Sequence, residues 1–284
     1  MFNLGSNTSI SGFYPVSLVT HPNGKYVYAL DRQPNFHTIE VFQANQSTGA
    51  LTNIGSIVLP AYPNSWMSID PNGHYIYVTT YASGGTSLIN VFQINATTGL
   101  LTTSPTTTFP ISTGTISLVT DPSGRYVFLI NNLGTSVYSY AVNSNDGSLT
   151  LNNQFGTGGQ NPQYIAIDPN SKYLYVVGTS LLVYSINEIN GNLTLLGSYQ
   201  LGNIPGGIVV HPTGKYVYVT NTSASTDPSS TGAIYTFSVN LSSGLLTSLG
   251  TVNVSRNAQM MAIDPLGSNL LVGSTYNNLI SSFS

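Results

Sequence analysis

The stretch DPNGHYIYVT at residues 70–79 decides the fold, because the chain contains six versions of it. The other five are HPNGKYVYAL (21–30), DPSGRYVFLI (121–130), DPNSKYLYVV (168–177), HPTGKYVYVT (211–220) and DPLGSNLLVG (264–273). Each begins with Asp or His before Pro, and five have Gly two residues after the Pro, which is the chemistry of a type I turn. A short apolar run lies on either side of the turn, so each copy predicts two antiparallel strands joined by that turn.

The rest of each repeat predicts two more strands. A third apolar run such as TIEVFQA (38–44) leads into a tight polar turn such as STGA (47–50), and a fourth run follows, such as LTSLG (246–250). Four antiparallel strands per repeat, with no sustained helical periodicity, are typical of a β-propeller blade. We therefore predict an all-β fold over residues 1–284, a single six-bladed β-propeller. Residues 2–10 are expected to pair with the last blade, 258–284, and close the ring.

Composition excludes several classes of function. Only 5% of residues are charged, the net charge is −3, and no basic run is present, which argues against nucleic-acid binding. No apolar stretch is long enough to span a membrane, so no membrane insertion is expected. The absence of cysteine excludes disulfides, thiolate catalysis and Cys-ligated zinc. We expect no cofactor and no metal.

The scarcity of charge also suggests where the protein works. Acid unfolding comes largely from protonating carboxylates that are paired in the folded state, and this chain has only nine acidic residues. An uncharged, hydrogen-bonding surface suits an acidic or harsh exterior. We therefore expect an extracellular location, on a cell envelope or a virion, as in a thermoacidophile.

The repeat, which reads YVYVTN at 216–221, resembles the YVTN-repeat and lactonase-like β-propellers over essentially the whole chain. This group includes six-carbon sugar lactonases, usually seven-bladed, alongside surface-layer and binding proteins. The resemblance implies that a Pro-Arg-His motif ahead of a first strand would supply Arg and His to a lactonase site. The equivalent segments here, such as Pro15-Val16-Ser17 and Pro162-Gln163-Tyr164, contain neither residue.

Most charged residues are explained by the recurring turns, and the remainder mark a candidate site. Nine of the fifteen occupy turn positions. Loops of one face of the propeller carry five polar candidates that could bind a ligand: Asp31, Arg32, His37, Asp227 and Arg256. Further candidates on that face are Gln259, Trp66 and Tyr164. The other aromatic residues expected there are Tyr14, Phe36, Tyr62, Tyr81 and Tyr276. The alternative interpretation is that the charges are solvated loop residues and that Trp66 and Tyr164 pack between blades.

Two functions remain open from the sequence. The leading prediction is a non-enzymatic extracellular binding or structural protein that contacts a glycan or a protein through this loop face, and that could be a subunit of an assembly. The alternative is a lactonase-like hydrolase of the 6-phosphogluconolactonase type, acting at the same face.

Overall fold

The computed structural model describes residues 15–32, 37–81, 87–111, 115–131, 133, 135–202, 204–222, 231–276 and 278–284. Within them the chain forms 23 β-strands and no helix. The all-β prediction is therefore confirmed. No helix in this part of the chain has the length and hydropathy to span a membrane.

The strands form six antiparallel sheets in chain order, which are the six blades of the predicted β-propeller. The first blade consists of β1 (Pro15–Thr20), β2 (Tyr26–Arg32), β3 (His37–Ala44) and β4 (Leu51–Val58). The second blade consists of β5 (Tyr62–Ile69), β6 (Tyr75–Tyr81), β7 (Ser87–Gln93) and β8 (Thr107–Ile111). The third blade consists of β9 (Thr115–Thr120), β10 (Tyr126–Asn131), β11 (Ser136–Val142) and β12 (Leu149–Gly156). The fourth blade consists of β13 (Tyr164–Ile167), β14 (Tyr173–Val177), β15 (Ser180–Ile186) and β16 (Leu193–Gln200). The fifth blade consists of β17 (Ile204–Val210), β18 (Tyr216–Thr222), β19 (Gly232–Val239) and β20 (Leu246–Val254). The sixth blade consists of β21 (Ala258–Ile263), β22 (Leu270–Ser274) and β23 (Leu279–Phe283).

The sixth blade has three strands in the described part of the chain. Its predicted fourth strand, residues 2–10, lies outside the described residues. By its contacts the chain divides into two compact units, 1–134 with 139–151 and 135–138 with 152–284. That the whole chain forms one domain stays a prediction.

The recurring turn has the predicted chemistry. The Asp70 carboxylate accepts backbone N–H bonds from Asn72, His74 and Tyr75, which hold the turn between β5 and β6. His21 takes the same role in the first blade, where its Nδ1 accepts the Asn23 N–H at 3.1 Å. His21 therefore has a structural role in the turn, since an imidazole nitrogen replaces a carboxylate oxygen as the acceptor.

Each unit has a core made by facing sheets. In the first unit, Tyr28 and Ile39 of the first blade are buried with Ile76 and Phe92 of the second. In the second unit, an equivalent cluster joins the fourth and fifth blades, centred on Tyr175, Val177, Val217 and Phe237. The alternating side chains of each strand explain this packing, because in both pairs one face of a blade meets the neighbouring blade.

Candidate functional site

The candidate site in the first unit is built where β2 ends and β3 begins. Arg32 is the last residue of β2, His37 is the first of β3, and the two are direct cross-strand partners. Partners in an antiparallel ladder project to the same face of the sheet, about 5 Å apart at Cβ. Backbone pairing therefore brings a guanidinium and an imidazole together, although four residues separate them in sequence.

Tyr62, at the start of β5 in the next blade, contacts both side chains. The His37 ring meets the Tyr62 ring edge to face, with centroids 4.7 Å apart and planes at 78°. The Arg32 guanidinium carbon lies 5.6 Å from the Tyr62 ring centroid. Edge-to-face and cation–π contacts are both attractive, so Tyr62 orients the two residues on one aromatic platform.

The backbone of His37 is fixed by a hydrogen bond, and one nitrogen of its imidazole ring has no hydrogen-bond partner in the described structure. Its carbonyl accepts the Leu59 N–H at 2.8 Å, just beyond the end of β4. Its Nδ1 is shielded from solvent and has no hydrogen-bond partner in the described structure. A buried polar atom without a partner is destabilising, so this nitrogen is a group for which a ligand or water could supply the partner.

β-bulges shape this end of the blades. The register of β1 shifts between Pro15 and Ser17, next to Asp31, and that of β5 shifts between Pro63 and Met67, next to Tyr62. A bulge bends a strand and redirects its side chains, and bulges often lie beside binding sites. The first strands therefore begin irregularly on the side where Arg32 and His37 lie.

Asp31 lies on the other face of the sheet from this pair. It precedes Arg32 in β2 and so projects to the opposite face of the sheet, where it is 3% exposed. On that same face, Glu40 is also buried, and its Oε2 accepts a hydrogen bond from Asn53 at 2.7 Å. The sequence suggested a loop carboxylate at Asp31, and the structure instead places it inside the blade because β2 extends through Arg32.

The second unit contains a separate contact of the same kind. Arg256 lies between β20 and β21, and its guanidinium carbon is 4.7 Å from the Tyr276 ring centroid. Its backbone carbonyl accepts a hydrogen bond from the Ser274 hydroxyl. Gln259 is exposed in β21, at a register shift between Ala258 and Met260. Arg256 is thus held by Tyr276 in its own unit, just as Arg32 is held by Tyr62.

Three sequence candidates remain. Two of them, Trp66 and Tyr164, are half-buried, and the third lies outside the residues that the structure describes. Tyr164 is half-buried and packs against the core of the fourth and fifth blades, and burial raises the pKa of its phenol. Trp66 is half-buried within β5. For Tyr164 this position agrees with the packing alternative. Asp227 lies outside the described residues, as do Tyr14 and Phe36.

The pattern of contacts around Tyr62 was only partly visible in the sequence. Its position one residue after the loop following β4 suggested an aromatic on the loop face, but nothing in the repeat paired it with His37. Among the described residues, no group of three or more His, Asp or Glu side chains could hold a metal ion. The site therefore offers a cation, an imidazole with an unpartnered nitrogen and an aromatic surface.

Comparisons with known proteins identify the family. A family model described as "Lactonase, 7-bladed beta-propeller" matches residues 5–115 and 101–204, which together cover more than half of the chain. A 6-phosphogluconolactonase from Pectobacterium carotovorum is 23% identical over 166 residues, 56% of this chain and 48% of that protein. The chain thus spans about half the length of this curated relative.

Solved structures show the same fold. A Bacteroides uniformis protein provisionally assigned as a 6-phosphogluconolactonase has a TM-score of 0.82 at 21% identity, covering 95% of this chain and 80% of that one. The periplasmic gluconolactonase of Pseudomonas aeruginosa has a TM-score of 0.80 at 18% identity, covering 99% and 83%. At these identities the likeness shows the fold alone.

These comparisons correct the leading functional prediction. A non-enzymatic binding or structural protein was expected because no first strand is preceded by Arg and His. That expectation is wrong, since the relatives are named as lactonases and favour the enzyme alternative. An Arg and a His do meet elsewhere, because Arg32 at the end of β2 pairs with His37 at the start of β3.

Proposed function

Because the chain belongs to the lactonase family described as seven-bladed β-propellers, we propose that it hydrolyses a sugar lactone at the corner formed by Arg32, His37 and Tyr62. The observation that carries the proposal is the unpartnered Nδ1 of His37 beside the Arg32 guanidinium, both on one face of the sheet. An acceptor nitrogen next to a fixed cation is what ester hydrolysis needs.

In the proposed reaction, water attacks the carbonyl carbon of the lactone. The His37 imidazole accepts a proton from that water as its oxygen bonds to carbon, and the carbonyl oxygen becomes an oxyanion beside Arg32. The tetrahedral intermediate collapses when the ring C–O bond breaks, and the departing ring oxygen takes the proton back from His37. The product is a hydroxy acid, which ionises and releases one proton at neutral pH.

The substrate class follows from the relatives' names. The curated relatives are named 6-phosphogluconolactonase and one structural neighbour is a gluconolactonase, which supports a six-carbon sugar lactone. Arg32 also provides a cation for an anionic substituent or for the carboxylate product. The expected extracellular location, and with it life in an acidic exterior, stays a prediction.

The test is hydrolysis of glucono-1,5-lactone and of its 6-phosphate, followed by proton release against the spontaneous rate. We expect acceleration of at least one substrate, with kcat/KM lowered about 100-fold by Arg32→Ala and by about 100-fold or more by His37→Ala.

The matched control is Arg125→Ala, because Arg125 also lies over a tyrosine ring, 5.9 Å from Tyr126, but in the turn between β9 and β10. Its activity should equal that of the native protein. Absence of acceleration with both lactones, or equal activity in all three variants, would overturn the proposal.

A further inference from the structure

The fourth strand of the second blade is interrupted. In the first, third, fourth and fifth blades the fourth strand begins at a Leu directly after the hairpin turn: Leu51, Leu149, Leu193 and Leu246. In the second blade, Leu101 makes only an isolated bridge with Ile94, and β8 begins at Thr107.

Residues 103–105 leave the ladder at this interruption. Thr102 still pairs with Gln93, through a backbone bond of 3.0 Å and a hydroxyl that accepts the Gln93 N–H at 3.2 Å. Pairing resumes at Thr106, whose N–H bonds to the Val91 carbonyl at 2.8 Å. Such an insertion bends the strand and opens space beside it.

A groove of about 920 Å³ lies alongside the interruption, between the hairpin turns of the second and third blades. This volume falls in the range of small-molecule sites. The buried side chains of Tyr75, Ile94 and Leu101 line it, and the more exposed Leu100 adds an apolar surface. Polar groups complete the lining: His74, Gln93, Asn95, Thr98, Thr102, Ser144 and Asn145.

Some of these polar groups already make hydrogen bonds within the protein, and others do not. The Tyr75 hydroxyl donates to the Asn145 carbonyl at 2.8 Å, and the Asn95 side-chain oxygen accepts the N–H groups of its own turn. The side chains of Gln93, Ser144 and Asn145 make no hydrogen bond within the described structure. Two amides and a hydroxyl, next to an apolar surface, match the hydroxyls and C–H faces of a sugar.

The charge around the groove disfavours anions. No Lys, Arg, Asp or Glu lines it. Burial, and after it the negative charges of Asp146 and Asp70, raise the pKa of Tyr75. Asp70 and Asp146 lie outside the lining, but their negative charges act on it and disfavour a phosphorylated sugar or a sugar acid.

We propose that the groove between the second and third blades binds a short neutral oligosaccharide. It lies at the Tyr75 end of β6, whereas Tyr62 pairs with Tyr81 at the other end of that strand. Seven strand residues separate the two ends by about 20 Å. The groove is therefore a second site, distinct from the proposed reaction corner, and its ligand class differs from a phosphorylated lactone.

The experiment titrates the ¹⁵N-labelled chain of 284 residues with maltotriose and follows amide chemical shifts. We expect saturable shifts centred on residues 93–102 and 144–145, with millimolar affinity. Glucose 6-phosphate should bind at least fivefold more weakly, and Arg32→Ala should leave maltotriose binding unchanged.

Ser144→Trp fills the groove and should weaken maltotriose binding at least tenfold. The matched control is Leu241→Trp, at the equivalent turn position of the fifth blade and itself exposed. Gln93→Ala removes one donor without adding bulk and should weaken binding threefold or more, which keeps the test valid if Ser144→Trp unfolds. The proposal is overturned by an absence of saturable shifts, by equal binding in Gln93→Ala and native protein, or by preferential binding of glucose 6-phosphate.

Discussion

The Tyr75 hydroxyl of the second blade donates a hydrogen bond of 2.8 Å to the Asn145 carbonyl in the hairpin turn of the third blade. The same contact recurs at other positions. Tyr26 donates to the Thr97 carbonyl at 2.8 Å, and Tyr173 donates to the Leu241 carbonyl at 3.1 Å. The tyrosine that opens the second strand of one blade thus fastens the hairpin turn of the next blade.

A glycine in the same turn makes each contact possible. Gly147 has a φ of 71°, and a Cβ built on it would lie 2.6 Å from the Tyr75 ring. Gly99 against Tyr26, and Gly244 against Tyr173, show the same close approach. The glycine therefore satisfies two demands at once, a left-handed backbone and space for an aromatic ring.

Gly147→Ala should lower the free energy of unfolding by about 2–4 kcal/mol, measured by urea denaturation. The added methyl group brings strain from the positive φ, typically about 1 kcal/mol, and overpacking against Tyr75 of about 1–3 kcal/mol. The matched control is Gly49→Ala, where φ is 72° but nothing lies within 4 Å of the new Cβ. It should lose only about 1 kcal/mol, and equal losses in the two variants would refute the role assigned to the tyrosine ring.

Alkaline pH should destabilise the fold through its buried tyrosines. Burial raises the pKa of Tyr184 to about 12, and it raises the pKa values of Tyr28, Tyr77 and Tyr175 further. Tyrosine in the unfolded chain ionises near pH 10, so the stabilisation is complete below that pH and is lost as pH rises through the folded pKa.

The measurement is the free energy of unfolding in urea between pH 8 and pH 12, which should stay level to about pH 9 and then fall. Tyr184→Phe should fall less steeply above pH 10, because the Tyr184 hydroxyl has no hydrogen-bond partner in the described structure and its removal leaves no new unpaired group. Superimposable pH curves for the variant and the native protein would contradict this.

Acid should affect stability little until about pH 4. Hydrogen bonds from the Asn269 side chain, and then from the Ser268 backbone N–H, lower the pKa of Asp264 in the last turn. A lowered pKa contributes stability above the unfolded value near 3.9, and that stability is lost as pH falls through the folded value. Melting temperature between pH 2 and pH 7 should therefore be nearly flat with a shallow decline below pH 4, and Asp264→Asn should reduce that decline. A steep loss below pH 4 would count against this view of the charge-poor chain.

The fold was predictable from sequence because its determinants are local and repeated. The repeated pair of Asp or His followed by Pro specifies a turn. At Asp70, the backbone N–H groups that donate to the carboxylate lie within five residues of it. Six such turns with alternating strands leave few architectures to consider.

The candidate site was less predictable because its contacts are not local. His37 meets Tyr62 across two blades, and the pairing depends on bulges and loop lengths that no repeat position encodes. Asp31 was predicted to lie in a loop, but β2 continues through Arg32, so the Asp31 carboxylate is buried within the strand. The groove had a sequence signal in TTSPTT at 102–107, which interrupts the expected fourth strand, but its lining from the third blade arises only in the folded chain.

Tyr62 should act as a positioning residue for the proposed reaction, because its ring contacts both His37 and Arg32 while its hydroxyl is not needed for either contact. Tyr62→Leu is expected to lower kcat/KM for the lactone substrate about tenfold, chiefly through kcat, since His37 and Arg32 lose the ring that orients them. Tyr62→Phe keeps the ring and should retain activity within about twofold. The control is Tyr81→Leu, which replaces a similarly exposed tyrosine opposite Tyr62 in the same ladder and should leave kcat/KM unchanged. If Tyr62→Leu and Tyr81→Leu behave alike, or if Tyr62→Phe is as impaired as Tyr62→Leu, the aromatic ring does not position the pair.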